Sequence, residues 1–133
     1  MKKIFLLATL AIGAVFAEPS CEAEKVQKLL EKMNSTLPQA IDEVTTGTKV
    51  ECENAVLMYY FEINDDADSY FAKLPDAEKD EVKKEIQASH HSHFCKRMKP
   101  LHDDIAGIVW DYKYKSNGTD FLRDEMKMAD CDK

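Results

Sequence analysis

The chain has 133 residues, of which 44% are hydrophobic and 32% are charged, and its formal net charge is −7. This length is enough for one domain with its own hydrophobic core. Because an acidic surface repels phosphate backbones and anionic lipid head groups, the composition disfavours nucleic acid as a partner. It fits a basic protein partner, or a surface charge that serves only solubility.

Residues 1–17 have the features of a secretory signal peptide. Two lysines precede an uncharged, largely apolar run, and Val15-Phe16-Ala17 ends on a small residue at the expected cleavage position. The run is short for a transmembrane helix, and no lipobox precedes Cys21. We therefore expect one domain over residues 18–133, in the periplasm or outside the cell, without stable membrane insertion. Removal of the two lysines takes the net charge from −7 to −9.

The four cysteines form an even set, which suits disulfide bonds in an oxidising compartment. Four cysteines allow three pairings. We favour Cys21–Cys52 with Cys95–Cys131, because each pair joins an element to its neighbour in the chain. In the chain-entropy model the Cys95–Cys131 bridge would contribute about 3–4 kcal/mol. No pair has CxxC spacing, so a thioredoxin-like redox site is not indicated.

The N-terminal half of the mature chain predicts helical segments followed by two strands. Residues 20–36 have apolar side chains at helical spacing, with Ser20 as the N-cap. A short second helical turn is expected over residues 38–44. Residues 48–53 predict a short strand. Residues 55–63 predict a longer strand with two largely apolar faces, which is typical of a central strand.

The C-terminal half predicts a helix, a short helical segment and a hairpin. A helix is expected over residues 75–95, and a short helix after it ends at Gly107 as a C-cap. Residues 108–115 and 119–128 predict two strands. Asn117-Gly118 lies between them, and this dipeptide favours a tight turn because both residues accept a positive φ.

These segments predict an α+β fold with the order α-β-β-α-β-β. Two helices would lie on one face of a mostly antiparallel four-stranded sheet. The disulfides would hold the helices to the sheet.

A set of small motifs is spread along the mature chain. It consists of Leu37-Pro38, Val44-Thr45, Tyr59-Tyr60, Cys95, Gly107, Tyr112-x-Tyr114, Asn117-Gly118 and Asp130-Cys131. This pattern resembles a group of small exported proteins of Gram-negative bacteria, most of which have no assigned function. Residues 94–131 also resemble the disulfide-closed half of one class of type II secretion pilotins, which are α+β lipoproteins that bind a secretin segment. The resemblance implies an exported fold with a Cys95–Cys131 bridge, and it implies no catalytic residue.

A cluster of histidines near Cys95 is the sharpest local feature. His90, His91 and His93 are candidate ligands for zinc, copper or nickel, which imidazole binds well. His90 and His93 can share one helix face, whereas His91 and Cys95 share another. Because a disulfide would remove the Cys95 thiolate, we expect surface histidines at a polar helix end. Metal carriage is kept as an alternative.

No motif in the chain indicates catalysis or a bound cofactor. There is no GxSxG elbow and no Gly-rich phosphate loop, and two disulfides would leave no free thiol. The aromatic residues Trp110, Tyr112 and Tyr114 share one strand face, and a second aromatic set consists of Tyr59, Tyr60 and Phe61. Such stripes either pack beneath a helix or form an exposed interface.

We therefore expect a soluble periplasmic or secreted protein that is not an enzyme and that binds another protein. The partner would be an envelope component or an exported protein. One alternative is an inhibitor or immunity-type protein whose acidic surface binds a basic exported enzyme. The other is a periplasmic metal carrier that uses His90, His91 and His93.

Overall fold

The computed structural model describes residues 18–132, so the expected signal peptide lies outside the described residues. Five strands form one sheet in the order β1-β2-β3-β4-β5. They are β1 (Gln39–Ala40), β2 (Thr45–Glu53), β3 (Val56–Ile63), β4 (Gly107–Tyr114) and β5 (Asp120–Lys127). The two α-helices are α1 (Glu24–Asn34) and α2 (Asp76–Arg97). Short 3₁₀ segments cover Phe71–Lys73, Lys99–Leu101 and Met128–Asp132.

The sheet is mostly antiparallel, as predicted, but its central pairing is parallel. β3 pairs in parallel with β4, and the other three pairings are antiparallel. A parallel pair needs a long crossover connection, and here α2 lies in that connection. The α+β class is confirmed, whereas the predicted strand number of four is wrong because the sheet has five strands.

The additional strand, β1, lies where a helical turn was predicted. The backbone N–H groups of Ile41 and Asp42 both donate to the Thr45 carbonyl oxygen, at 2.8 and 3.3 Å. Asp42 Oδ1 accepts from the N–H groups of Val44 and Thr45, at 2.9 and 2.8 Å. These bonds turn the chain back into β2, which therefore begins at Thr45 and not at residue 48. The Leu37–Pro38 peptide bond before β1 is cis.

Gly107 begins β4 and does not end a helix, so that prediction is wrong. A Cβ atom at Gly107 would lie 2.5 Å from the carbonyl oxygen of Met126 on β5. The close approach of the two strands therefore requires glycine at this position. The chain after Cys95 continues α2 as far as Arg97 and then forms the 3₁₀ segment Lys99–Leu101.

The predicted N-cap of the first helix is also corrected, and the β2–β3 turn has an unusual backbone. Helix α1 has Ala23 as its N-cap residue, while the Ser20 hydroxyl accepts the N–H of Glu22 at 3.0 Å. The β2–β3 turn is formed by Asn54 and Ala55, whose φ angles are 51° and 66°. Two positive φ angles are what a tight hairpin turn requires, and here they occur without glycine.

The turn between β4 and β5 uses one positive φ angle, not two. Gly118 has a φ of 70°, and Asn117 is not among the residues with positive φ. The N–H of Gly118 donates to the Tyr114 carbonyl at 2.8 Å, which closes the turn. Asn117 contributes through its side chain, because its Oδ1 accepts the N–H of Thr119 at 2.9 Å.

The structure pairs Cys21 with Cys52 and Cys95 with Cys131, which is the pairing favoured from the sequence. No cysteine among residues 18–132 is free. The first bridge joins the chain just before α1 to β2, and the second joins α2 to the C-terminal 3₁₀ segment. Each bridge therefore holds one helix close to the sheet.

The hydrophobic core lies between the helices and one face of the sheet. Its most deeply buried side chains are Val26, Leu57, Ile63, Phe71, Ile105 and Ile108. Helix α1 contacts β2 and helix α2 contacts β5, so β3 lies between the areas that the two helices cover. The inner face of β3 is consequently less buried than that of β4.

Candidate functional site

An open groove lies between the two helices on the inner face of the sheet. It has a volume of about 390 Å³ and continues into a cavity of about 220 Å³. We call the two together the aromatic groove. The side chains that line both parts are Met33, Tyr59, Ser89, His90, Arg97 and Trp110.

Four aromatic rings form the floor of the groove. In the parallel pairing of β3 with β4, Tyr59 lies opposite Trp110 and Phe61 lies opposite Tyr112. Alternate residues of a strand share a face, so all four rings point to the same side. The rings of Phe61 and Tyr112 are stacked, with centroids 4.4 Å apart and an interplanar angle of 13°. Trp110 and Tyr112 are 8% and 5% exposed, whereas Tyr59 and Phe61 are half-buried.

The walls of the groove come from α1, β1 and α2. Helix α1 contributes Met33, whose sulfur accepts a hydrogen bond from the Tyr59 hydroxyl at 3.2 Å. Ile41, just after β1, stands at the rim with 58% of its surface exposed. Helix α2 contributes His90 and the exposed Arg97 on the opposite side.

A chain of four hydrogen-bonded side chains fixes the floor beneath α2. His90 Nδ1 lies 2.9 Å from Asp124 Oδ2, and His90 Nε2 lies 2.9 Å from the Tyr112 hydroxyl. The His90 ring is also stacked on Trp110, with centroids 4.0 Å apart and an interplanar angle of 10°. His91 Nε2 lies 3.0 Å from the second Asp124 oxygen. Asp124 therefore binds two histidines from consecutive positions of α2.

The chemistry of these groups assigns the direction of the hydrogen bonds. A carboxylate only accepts, so His90 Nδ1–H donates to Asp124, and Nε2 of the neutral ring accepts from the Tyr112 hydroxyl. Burial lowers the pKa of His90, although the hydrogen bond and charge of Asp124 act in the opposite direction. Burial raises the pKa of Tyr112 far above its usual value, and Asp124 and Asp42 add to this effect. The Tyr112 hydroxyl is therefore held in its protonated form, as the donor to His90.

These contacts hold two of the three histidines that were predicted as metal ligands and leave the third apart. His90 and His91 bind Asp124, whereas His93 lies on the wall of the smaller cavity beside Phe94. Among residues 18–132, no group of three or more His, Cys, Asp or Glu side chains is placed to hold a metal ion. Metal binding by these histidines stays a prediction, which a titration of the purified protein would test.

The predicted interface residues on β4 are placed inward. Trp110 and Tyr112 are buried beneath α2 and form the deep side of the groove floor. Tyr114 packs against Phe71 and Phe121, at centroid distances of 6.3 and 5.5 Å, and is half-buried outside the groove. These three residues therefore do not form an exposed strip. The accessible aromatic surface comes instead from β3.

Sequence reasoning missed two features of the site. Asp124 interrupts the apolar alternation of β5, and it is 6% exposed and lies against α2. Its position two residues from Leu122 and Met126 was a signal for a buried polar partner. The rim provided by Leu37 and Ile41 was missed because that segment was predicted as helical.

The fold and its bridges define a small α+β domain held by two disulfides. No family model matches the chain, and no curated protein matches it. The structure is similar to the crystal structure of a Pseudomonas aeruginosa protein that is thought to be secreted. The TM-score is 0.58 with 14% sequence identity, and the alignment covers 79% of this chain and 88% of that protein. At this identity the likeness concerns the fold. Within residues 18–132, no helix has the length and apolar character to cross a membrane.

Proposed function

We propose that this chain is an exported protein that is not an enzyme and that binds another protein through the aromatic groove. The observation that carries the proposal is the position of Tyr59 and Phe61. They lie on the same sheet face as the buried Trp110 and Tyr112, yet both stay half-buried in the open groove between the helices. Half-buried aromatic side chains in a concave site are the usual anchors of protein interfaces.

The shape and lining of the groove support a polypeptide segment as the occupant. The floor is aromatic, while the rim carries polar groups such as Thr36, Gln39 and Arg97. Apolar side chains of a segment would contact the rings, and its backbone could hydrogen-bond to the rim. The β1 strand is exposed and pairs only with β2, so its free edge lies beside the groove as a further site for backbone pairing.

Export is supported by three observations. Both disulfides are formed, which is typical of an oxidising compartment. The similar Pseudomonas protein is thought to be secreted. Residues 1–17 have the pattern of a signal peptide. We propose the periplasm of a Gram-negative cell as the compartment, and an envelope component or exported protein as the partner, as the pilotin resemblance also suggests.

The proposal can be tested with a photo-cross-linking residue placed at single positions of the exported chain. Ile41 at the groove rim is the test position, and Glu125 is the control, since it is exposed on β5 next to the inward-facing Asp124. We expect one envelope or exported protein to be cross-linked from position 41 and not from position 125. A synthetic peptide of the cross-linked segment should bind the purified protein.

The same peptide distinguishes groove binding from contact elsewhere. Phe61→Ala should weaken its affinity at least tenfold, which corresponds to about 1.4 kcal/mol. Unchanged affinity in a variant that keeps the wild-type circular dichroism spectrum would show that the groove is not the binding site. A cross-linked partner that proves to be a basic enzyme, inhibited on binding, would favour the inhibitor alternative.

A further inference from the structure

A second hollow, next to the aromatic groove, combines an apolar floor with a basic rim. Its volume is about 370 Å³. The floor is formed by Leu29, Met98, Pro100 and Leu101, and the rim by Lys25, Lys28, Lys32 and Arg97. We call this feature the basic hollow. Lys96 and Lys99 flank Arg97 and Met98 in the chain and add to the local positive charge.

This concentration of positive charge is unusual in a chain with a net charge of −7. Lys28 pairs with Glu24 at 3.2 Å, but both side chains are largely exposed, so the pair is weak. Within residues 18–132 the structure records no ion pair for Lys25, Lys32 or Arg97. Most of the cations at the rim are therefore available to bind anions from outside.

Helix stability does not account for these cations. Positive side chains stabilise the C-terminal end of a helix, which explains Lys32 in α1 and Arg97 in α2. Lys25, however, lies in the first turn of α1, where the helix dipole disfavours a positive charge. Its placement with Lys28 opposite Arg97, across an apolar floor, points to a ligand that needs these cations.

We propose that the basic hollow binds an acidic amphipathic segment of the partner protein, with an apolar side chain on the floor and carboxylates at the rim. The inference rests on the proposed function, because the hollow and the groove adjoin each other. Arg97 lines both of them, and Met98 lines both the hollow and the smaller cavity of the groove. One segment can therefore occupy the groove with aromatic or aliphatic residues and continue into the hollow with acidic ones.

The shape of the hollow favours a protein segment over an anionic membrane. A flat bilayer is bound by apolar side chains that protrude, but the apolar floor here is recessed among lysine and arginine side chains. The large apolar residues that are exposed among residues 18–132 are Ile41 and Tyr70, and neither lines the hollow.

The test uses a random 12-residue peptide display library selected against three forms of the exported, purified full chain. These are the wild type, a triple variant K25E/K28E/K32E, and a matched control K73E/K84E/K127E. All six lysines are exposed, and both triples change the net charge equally. We expect wild-type selection to enrich Asp and Glu next to aromatic or leucine residues. The acidic enrichment should vanish for the first triple and persist for the control.

The outcomes separate this inference from the proposed function. One possible result is that the wild type selects apolar residues without any acidic preference, and that Phe61→Ala abolishes this selection. That result would overturn the inference and leave the groove as the binding site. Equal loss of acidic enrichment in both triples would also overturn it, because net charge and not the hollow would then be responsible. Binding to phosphatidylglycerol vesicles that only K25E/K28E/K32E abolishes, with no selected peptide, would assign the hollow to a lipid surface instead.

Discussion

The inner faces of β3 and β4 have similar side chains but different degrees of burial. β4 is buried from Gly107 to Tyr112, whereas the inner face of β3 leaves Tyr59 and Phe61 half-buried. The difference comes from the helices, because the 22-residue α2 extends over β4 and β5, while the 11-residue α1 contacts β2. An aromatic stripe therefore does not by itself distinguish a core from a binding site. The length and position of the helix above the stripe decide whether its rings are buried or accessible.

The largest effect should come from removing an aromatic ring from the covered strand. Trp110→Ala deletes a ring that is stacked on His90 and whose centroid lies 5.9 Å from that of the Phe94 ring. We therefore expect the free energy of unfolding to fall by about 3–5 kcal/mol. Phe61→Ala removes a half-buried ring from the groove and should cost about 1–2 kcal/mol, since less apolar surface is lost from burial. Urea denaturation of both variants measures the two free energies.

Equal destabilisation by the two substitutions would contradict the comparison between the strands. It would mean that Phe61 is as much a part of the core as Trp110. The groove would then be closed in solution, and the proposed binding site would lose its main support.

An intermediate effect is expected from the buried carboxylate that holds α2 over β4. Asp124→Asn keeps the size of the side chain but replaces the carboxylate with a neutral amide. The amide has one oxygen, so it cannot accept hydrogen bonds from both His90 and His91 as the carboxylate does. We expect a loss of about 1–3 kcal/mol, the usual cost of weakening buried polar contacts. Glu125→Gln is the matched control, because Glu125 is the exposed neighbour on the same strand. It should change stability by less than about 0.5 kcal/mol.

Thermal denaturation of the two variants decides this prediction. If Asp124→Asn is as stable as Glu125→Gln, the network contributes little. The cover of β4 would then depend only on the packing of Trp110 and Phe94.

The sequence predicted those helices and strands whose residue patterns lie within one short stretch of the chain. The apolar residues in 55–63 and 108–115 were enough for the class of fold and the central strand, and the pairing of cysteines on neighbouring elements was enough for the bridges. The sequence did not predict β1, because its two residues owe their conformation to the turn at Asp42 and to pairing with β2. Gly107 was wrongly predicted to end a helix, because the contact that requires glycine at this position is with Met126, which is distant in the chain.

The sequence predicted which types of residue the candidate site contains, but not how they are arranged. Aromatic stripes and histidines were recognised, but which ring is covered depends on how far each helix extends over the sheet. The pairing of His90 and His91 with Asp124 joins residues more than 30 positions apart, and no local pattern specifies it. The basic hollow likewise forms only when the end of α2 is brought beside α1.

The smallest effect, and the most specific, concerns two histidines that both contact carboxylates. The pKa values of His90 and His102 are shifted in opposite directions. Burial lowers the pKa of His90 below its ordinary value of 6.5 despite Asp124. Hydrogen bonds that the His102 ring donates to the carboxylates of Asp103 and Asp132 raise its pKa above the ordinary value of 6.5. NMR titration of the imidazole signals should therefore show His90 titrating below His102.

The two shifts act on stability in opposite directions. For His90 the unfolded chain binds the proton more readily, so its contribution is lost as the pH falls below about 6.5 towards the folded-state pKa. For His102 the folded chain binds the proton more readily, so its contribution is present below pH 6.5 and is lost as the pH rises through the folded-state pKa. Asp124→Asn should lower the pKa of His90 further, and Asp132→Asn should lower that of His102. If His90 instead titrates above 6.5, the charge of Asp124 outweighs burial, and water reaches the network beneath α2.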